Sequence, residues 1–382
     1  MHCNVCGSPA GDPIYVAATD QSLTSLCKVV RGRIRVWSCQ HCSHLFGPPL
    51  PDTASFYEND YKILLDYEDE DQIYTVDGDK VVYRTEHQVN VLLDIVLLKP
   101  GARVLDYGSA KAAVPGRLHS LRSDLQLHLF DVSEMYRPFW NKLVPAEQTA
   151  VHATPSSWNA SFDLVTSFFA LEHIPGLHAT LFHVHSLIAE DGIFYGIVPD
   201  TFGNIADFVV IDHVNHFTAA SLHRLLSDSG FGEVTIDDTR HRGALVFKAR
   251  KGGVTSVCPD PERFLEKSLG LAEYWSKIKT SIEAAEDKVT GEAAIYGSGF
   301  YGAFIMTNLQ RPERVRCFLD HSPFQQGKIL LDRPIISVEA LSREIEVVYV
   351  GLNPAIARST IKSMPFFDDP RFKIRFLDGL RE

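Results

Sequence analysis

The sequence predicts an α/β protein in which a small cysteine module precedes two parallel-sheet domains. Three observations carry this expectation. From about residue 80 to 250, short apolar runs alternate with amphipathic stretches, the pattern of βαβ units. The same alternation returns, over a shorter span, from Ala293. Four of the seven cysteines form two Cys-x-x-Cys pairs before residue 60. A length of 382 residues exceeds one ordinary domain. Hydrophobic residues at 45% and charged residues at 22% are those of a folded chain.

Charge and hydropathy remove several classes. A net charge of −11 and a pI near 5.8 argue against a protein that neutralises nucleic-acid phosphates, so no nucleic-acid partner is expected. No run of ~18 apolar residues is present, and no membrane span is expected. The opening Met-His-Cys-Asn has neither the basic nor the apolar part of a secretory leader, so the expected location is cytoplasmic. There, paired cysteines read as metal ligands rather than disulfides.

Residues 1–60 form the expected metal module. Cys3 and Cys6, then Cys39 and Cys42, can each place two thiolates on one ion from a tight turn. Together they supply the four soft ligands of a closed, structural Zn2+ site. His41 and His44 stand beside the second pair and could replace one thiolate. Cys27 reads as a buried small hydrophobe. Arg31, Arg33 and Arg35 alternate before Trp37, but four basic and five acidic residues in this module do not make a nucleic-acid face.

Pro48, Pro49 and Pro51 break the chain. Residues 61–79 read as a solvated acidic connector, holding Asp66, Glu68, Asp69, Glu70, Asp71, Asp77 and Asp79. In residues 80–250, Val89, Leu92, Leu93, Val96 and Leu97 recur at helical spacing. Strands are expected at 103–107, 125–131, 162–167 and 193–198, with helices between them. Residues 251–290 hold a linker, Lys251-Gly252-Gly253, and a helix from Glu262 to Glu286. Residues 291–382 form the smaller second sheet domain, with strands at 293–296, 315–320 and 347–350.

Binding chemistry gathers at the ends of these strands. Val104-Leu105-Asp106-Tyr107-Gly108 is a buried strand ending in Asp-x-Gly, and glycine lets a backbone approach a ligand closely. Leu127-His128-Leu129-Phe130-Asp131 places an acid at the end of the next strand, where it can take both hydroxyls of a ribose. Phe162–Ser167 runs into Ala170-Leu171-Glu172-His173-Ile174 at the carboxyl edge of the sheet, and Glu190-Asp191-Gly192 turns into a further strand. Order and spacing together are far more specific than any one piece.

With these residues the chain resembles a class I S-adenosylmethionine (SAM)-dependent methyltransferase. Within that class it is similar to the three-part sugar methyltransferases. These join a four-cysteine zinc module, a central SAM domain with a Rossmann-like sheet and a smaller C-terminal Rossmann-like domain, and they C-methylate nucleotide-linked deoxysugars. Phe56-Tyr57-Glu58-Asn59-Asp60-Tyr61 resembles that family's linker. The resemblance implies that SAM lies on Asp106, Gly108, Ala110, Asp131, Val132, Phe169 and Leu171. It departs from the family at Ala110 and Ala112, where glycines are usual. A left-handed backbone there would cost roughly 1 kcal/mol. Lys111 is unexpected beside a sulfonium.

Asp212-His213-Val214-Asn215-His216-Phe217-Thr218 precedes a helix. The resemblance places the catalytic general base at His216, with Asn215 standing where the family has Glu. Proton removal from a carbon beside a carbonyl, or from a hydroxyl, needs a base near neutral pKa, and histidine suits either. His213, Asn215 and Glu172 complete the candidate catalytic set. The bland alternative is that Asp212, Asn215 and His216 brace a helix start, and that Glu172 and His173 cap the next helix.

Gly297-Ser298-Gly299-Phe300-Tyr301-Gly302 is Gly-x-Gly-x-x-Gly between a strand and a helix, with Asp320 at the next strand end. Alone it suggests NAD. In the resembled family this domain helps to hold the nucleotide-sugar, so Gly297, Gly299, Gly302 and Asp320 are candidate nucleotide contacts. The glycines could equally serve helix–strand packing.

The expected function is SAM-dependent methyl transfer to a small molecule, a nucleotide-linked sugar or related glycan precursor, at carbon or oxygen. The alternative is a non-methylating sugar-nucleotide or dinucleotide enzyme with a degenerate SAM pocket.

Overall fold

A computed structural model describes residues 1–51, 56, 70–77, 80–252, 260–362, 364 and 366–377. Most of the proposed family linker and the acidic residues up to Asp69 lie outside these. The described chain divides into two compact units. One holds residues 1–14, 35–207 and 212–268; the other holds 15–34, 208–211 and 269–382.

The first unit is built on a seven-stranded sheet. Its strands are β1 (Arg103–Tyr107), β2 (Gln126–Asp131), β3 (Thr149–Val151), β4 (Phe162–Phe168), β5 (Ile188–Pro199), β6 (Phe231–Asp237) and β7 (Ala244–Lys251). The order across the sheet is β3-β2-β1-β4-β5-β7-β6. β1 to β5 pair in parallel, and β7 runs antiparallel to both β5 and β6. The expected turn at Glu190–Gly192 lies within β5, as a bulge. The register slips there, from Phe162 opposite Ile188 to Leu164 opposite Ile193, and Asp191 takes a φ of 58°.

Strand alternation sends side chains to two faces, and each face has its own core. Val104, Leu127, Leu129, Tyr195 and Val246 pack with helix α1 (Arg84–Ile95), through Val89 and Leu92, and with helix α2 (Ala113–Leu121). Leu105, Val165, Phe194 and Phe247 pack on the other face with α3 (Leu177–Leu187) and α4 (Ala219–Asp228). Val5, Trp37 and Phe46 of the cysteine module join that second core. The module also adds backbone pairing: Leu45 and Phe46 lie opposite His216 and Asn215. The end of the acidic connector is ordered too. Ile73–Asp77 and Lys80–Tyr83 form an antiparallel hairpin, and Asp71 accepts from the Thr85 amide at the start of α1 (3.2 Å).

The second unit is a six-stranded sheet. Its strands are β8 (Glu292–Tyr296), β9 (Val315–Leu319), β10 (Ile329–Leu330), β11 (Arg333–Ile336), β12 (Ile345–Val350) and β13 (Lys373–Phe376), in the order β10-β11-β9-β8-β12-β13. Residues 15–34 belong to this unit in space. They carry a small hairpin, Gln21–Leu23 with Val29–Arg31. Tyr15, Leu23, Trp275, Phe304 and Asn308 line a cavity of about 140 Å³ beside it. The long helix α5 (Glu262–Asp287) matches the expected span.

After β8 the Gly-rich turn enters helix α6 (Phe300–Asn308). A Cβ on Gly302 would sit 2.0 Å from the Gly297 carbonyl oxygen, and one on Gly351 would sit 2.5 Å from the Gly302 Cα. Backbone meets backbone there, and only glycine allows it. Gly299 differs, because a Cβ there meets nothing within 4 Å. Gly302→Ala is therefore expected to cost about 3 kcal/mol, the upper range for overpacking. Gly299→Ala should stay within about 1 kcal/mol. Urea unfolding of the two variants checks this contrast.

Candidate functional site

The cysteine pairs form two equivalent knuckles. In the first, Cys3 N donates to Ser8 O (2.9 Å) and Gly7 N to Cys3 O (3.0 Å). In the second, Cys39 N donates to His44 O and Ser43 N to Cys39 O, both at 2.9 Å. The residue four past each leading cysteine is left-handed, with φ 71° at Gly7 and 55° at Ser43. The four sulfurs lie within 4.8 Å of one another, with Cys3–Cys42 at 3.6 Å and Cys6–Cys39 at 3.4 Å. A tetrahedral Zn2+ with ~2.3 Å bonds needs sulfurs about 3.8 Å apart, so the donor set and spacing fit a structural zinc. His44 turns away from the sulfurs and is spent on Asn215 and Ser221. Burial drives its pKa down to about 3, which keeps it neutral.

The strand order of the central sheet reverses at β1, between β2 and β4, and ligands of such sheets bind outside the carboxyl ends there. Gly108 leaves β1 with φ 85°, and a Cβ on it would sit 2.9 Å from Ala170 Cβ in the loop after β4. Glycine thus keeps this crevice from closing. Ala110 and Ala112 are both left-handed, at φ 43° and 61°, the conformation that the usual glycines adopt freely. Asp131, at the end of β2, holds the strained loop. Its Oδ2 accepts from Ala110 N (2.8 Å) and its Oδ1 from Ser133 N (3.1 Å). Burial pushes its carboxyl up in pKa, and these amides pull against that. Trp140 Nε1 donates to Ala110 O (2.7 Å). The Lys111 ammonium donates to Glu70 O (3.0 Å). Asp106 points into the sheet, accepting from Thr166 Oγ1 at 2.7 Å, and burial pushes its pKa up to about 7.

The rest of the expected cofactor set divides. Val132 is exposed and Leu171 is buried. Phe169 is left-handed at φ 52°, under the Arg84 guanidinium (3.9 Å to the ring centroid) and edge-on to His241. Arg84 and His241 had no local sequence signal. They reach the crevice from α1 and from the loop before β7.

The histidines gather on a carboxylate that sequence reasoning missed. Asp207 Oδ1 accepts from His213 Nδ1 (2.6 Å); its Oδ2 accepts from His216 Nδ1 (3.0 Å) and Thr201 Oγ1 (2.8 Å). Burial opposes the Asp207 charge, but the two histidines outweigh it and hold the carboxyl well below its ordinary range. A lone acid inside the apolar run Ile205-Ala206-Asp207-Phe208-Val209 was the available signal. His213 is depressed by burial and carried up to about 9 by Asp207, with help from Asp212 and Glu172. Glu172 is pushed up to about 7 by burial, and His173 down to about 4 by burial and the His213 charge. His173 and His213 meet edge to face at 4.7 Å. His216 is 2% exposed, and the His213 ring keeps an accessible edge. Asn215 is buried with all four hydrogen-bonding positions engaged. It donates to Leu171 O and Ile174 O and accepts from Asn4 Nδ2 and His44 Nε2.

In the second unit, Asp320 Oδ2 accepts from Ser298 N (3.0 Å) and Ser298 Oγ (2.6 Å). Gly297 and Gly302 are committed to packing, and Gly299 leaves the helix start open.

A switch-point crevice with an acid at the end of the second strand and a reversed seventh strand matches the Rossmann-like fold of methyltransferases. Comparison with known proteins adds the particular domain: residues 81–235 match the family model of a methyltransferase domain. The match covers the central sheet and its carboxyl-edge crevice and marks this protein as an enzyme. No curated protein matches the chain. Solved structures with similarity include the CurJ carbon methyltransferase (15% identity, 45% of this chain, 55% of that chain, TM-score 0.36). A SAM-dependent methyltransferase from Mesorhizobium loti aligns at 15% identity over 43% of this chain and 98% of that one, TM-score 0.36. Human N-acetylserotonin methyltransferase, solved with SAM, aligns at 16% over 44% and 53%, TM-score 0.37. The match thus spans about half the length of the CurJ and human enzymes. Among the described residues, no helix is long and apolar enough to cross a membrane.

Two outcomes are expected. Cys39→Ser, or stripping the metal with a chelator, should release the zinc and unfold the N-terminal module, read by metal content and near-ultraviolet dichroism. Asp106→Asn should stabilise the protein at pH 8 by up to about 4 kcal/mol. The folded-state pKa of Asp106 is raised, so the stability of the native protein falls as pH rises from 3.8 through about 7. The advantage of the variant should vanish near pH 4, and denaturant midpoints across that range measure it.

Proposed function

We propose that the protein transfers a methyl group from SAM to a nucleotide-linked sugar or related glycan precursor. The observation that most supports this is the crevice at the β1–β4 switch point, inside the methyltransferase domain. Gly108 keeps it open, and Asp131 fixes the loop that would lie under the cofactor. Asp131 would face the ribose hydroxyls, and the 108–112 and 169–171 segments would line the amino-acid part. SAM supplies an electrophilic methyl on a sulfonium.

The chain's own part is to orient an acceptor and remove its proton. That role falls to the histidines on Asp207. Both hand Nδ1 to the carboxylate, so Nε2 is the basic nitrogen of His213 and His216. Asn215, saturated by the protein, holds the histidine segment in place. The nucleotide-sugar class is supported by the order of parts: cysteine module, methyltransferase domain, then a sheet domain with an open Gly299 at a helix start.

Calorimetric titration of the zinc-loaded protein with S-adenosylhomocysteine should give micromolar binding, weakened at least tenfold by Asp131→Ala. A methyl-transfer screen over nucleotide-sugars should then find an acceptor whose turnover His216→Ala or His213→Ala abolishes. Absence of binding at millimolar ligand by folded protein would refute the reading.

A further inference from the structure

Glu172 and His173, which proton removal does not use, meet His213 near the crevice. Glu172 and His173 end the short turn after β4, and His213 precedes α4. Each offers a ligand atom within 4.8 Å of the other two. His173 Nδ1 lies 3.1 Å from the Asp212 carbonyl oxygen, and His213 Nδ1 lies 2.6 Å from Asp207 Oδ1. Both partners only accept, so each Nδ1 is the N–H donor, and Nε2 is the nitrogen that a metal would take, displacing a proton from His213 as it binds. This is how metal-ligating histidines are held: an oxygen on the far nitrogen fixes ring and tautomer. The two rings stand 86° apart, which lets their edges converge.

Glu172 is the independent observation. It is 1% exposed, and its Oε2 has no hydrogen-bond partner. A buried carboxylate oxygen without a donor is costly unless a cation meets it. Asp207 and Asp212 are equally buried, so three carboxylates face three imidazoles, His173, His213 and His216, in one cluster.

We propose that Glu172, His173 and His213 bind a divalent transition-metal ion, distinct from the four-cysteine zinc. Two imidazoles and one carboxylate suit Zn2+, Fe2+, Mn2+ or Co2+, and the thiolate site keeps the softer chemistry. Three protein ligands leave an open position, the mark of a reactive rather than a structural site. The ion would sit beside Leu171, at the carboxyl edge of β4. An acceptor oxygen in the crevice could take the open position and become more acidic. His213 then serves as ligand, and His216 is left as the general base held by Asp207.

The test is metal stoichiometry of the full-length protein, which needs neither SAM nor turnover. Wild type equilibrated with excess Co2+ should bind two equivalents. One shows thiolate-to-metal charge transfer; the second shows only the weaker ligand-field bands of nitrogen and oxygen ligands. Glu172→Gln, His173→Gln and His213→Gln should each lose the second equivalent and keep the first, with its thiolate charge-transfer band unchanged. Asp207→Asn should weaken the second site about 10–100-fold, because Asp207 orients His213. One equivalent in folded wild type with excess Co2+, Zn2+ or Mn2+ would overturn the proposal, as would a second equivalent that survives all three substitutions. The wild-type count decides even if a variant fails to fold. Its failure would leave S-adenosylhomocysteine binding untouched, so the two readings fail separately.

Discussion

The amide of Asn215 is the contact on which the site depends. Its two N–H groups hold Leu171 and Ile174, which flank Glu172 and His173, and its oxygen takes Asn4 and His44 from the two cysteine knuckles. One buried side chain therefore ties the metal module, the loop after β4 and the histidine segment. A glutamate in its place would bring a second acceptor against two carbonyls and could donate to neither. The amide suits this junction because it alone offers two donors and an acceptor with two lone pairs. The cysteine module is thus part of the scaffold of the site.

Both units shape the loop after their first strand by one device. A strand-end aspartate turns back to accept a backbone amide of that loop: Asp131 from Ala110, and Asp320 from Ser298. In the first unit this bond offsets the left-handed strain at Ala110 and Ala112. In the second, glycines remove the strain, and the carboxylate has only to position a serine. The same acid can hold a loop and still present a lone pair outward, since each carboxylate oxygen accepts more than one bond.

The regular part of this architecture was legible in the sequence. Continuous apolar runs marked β1, β2, β4, β8 and β12 to within a residue or two, because parallel strands are buried on both faces. The cysteine pairs announced by spacing alone that four sulfurs would gather at one point. The positive φ at Ala110 and Ala112 followed from what the missing glycines would have supplied. The long-range pairings were not legible. Nothing local says that residues 15–34 pack with the C-terminal unit, that Asp207 gathers two histidines, or that Arg84 lies over Phe169. The acidic run read as solvated, yet its last residues form a hairpin, since alternation in Ile73–Asp77 is hidden by the charges before it. The role of Asn215 was invisible because it is defined by four partners, all of them more than 40 residues away.

The bond between Asn4 and Asn215 spans 211 positions of sequence. At synthesis rates of 5–20 residues per second, roughly 10–40 s separate the emergence of its two ends from the ribosome. Through that interval the knuckles exist without the partner segment that covers them, and their thiols stand open to oxidation. A metal ion taken up by the nascent chain would protect them. With zinc as that ion, its supply during translation, rather than in the finished protein, would set how much of the chain reaches an assembled site.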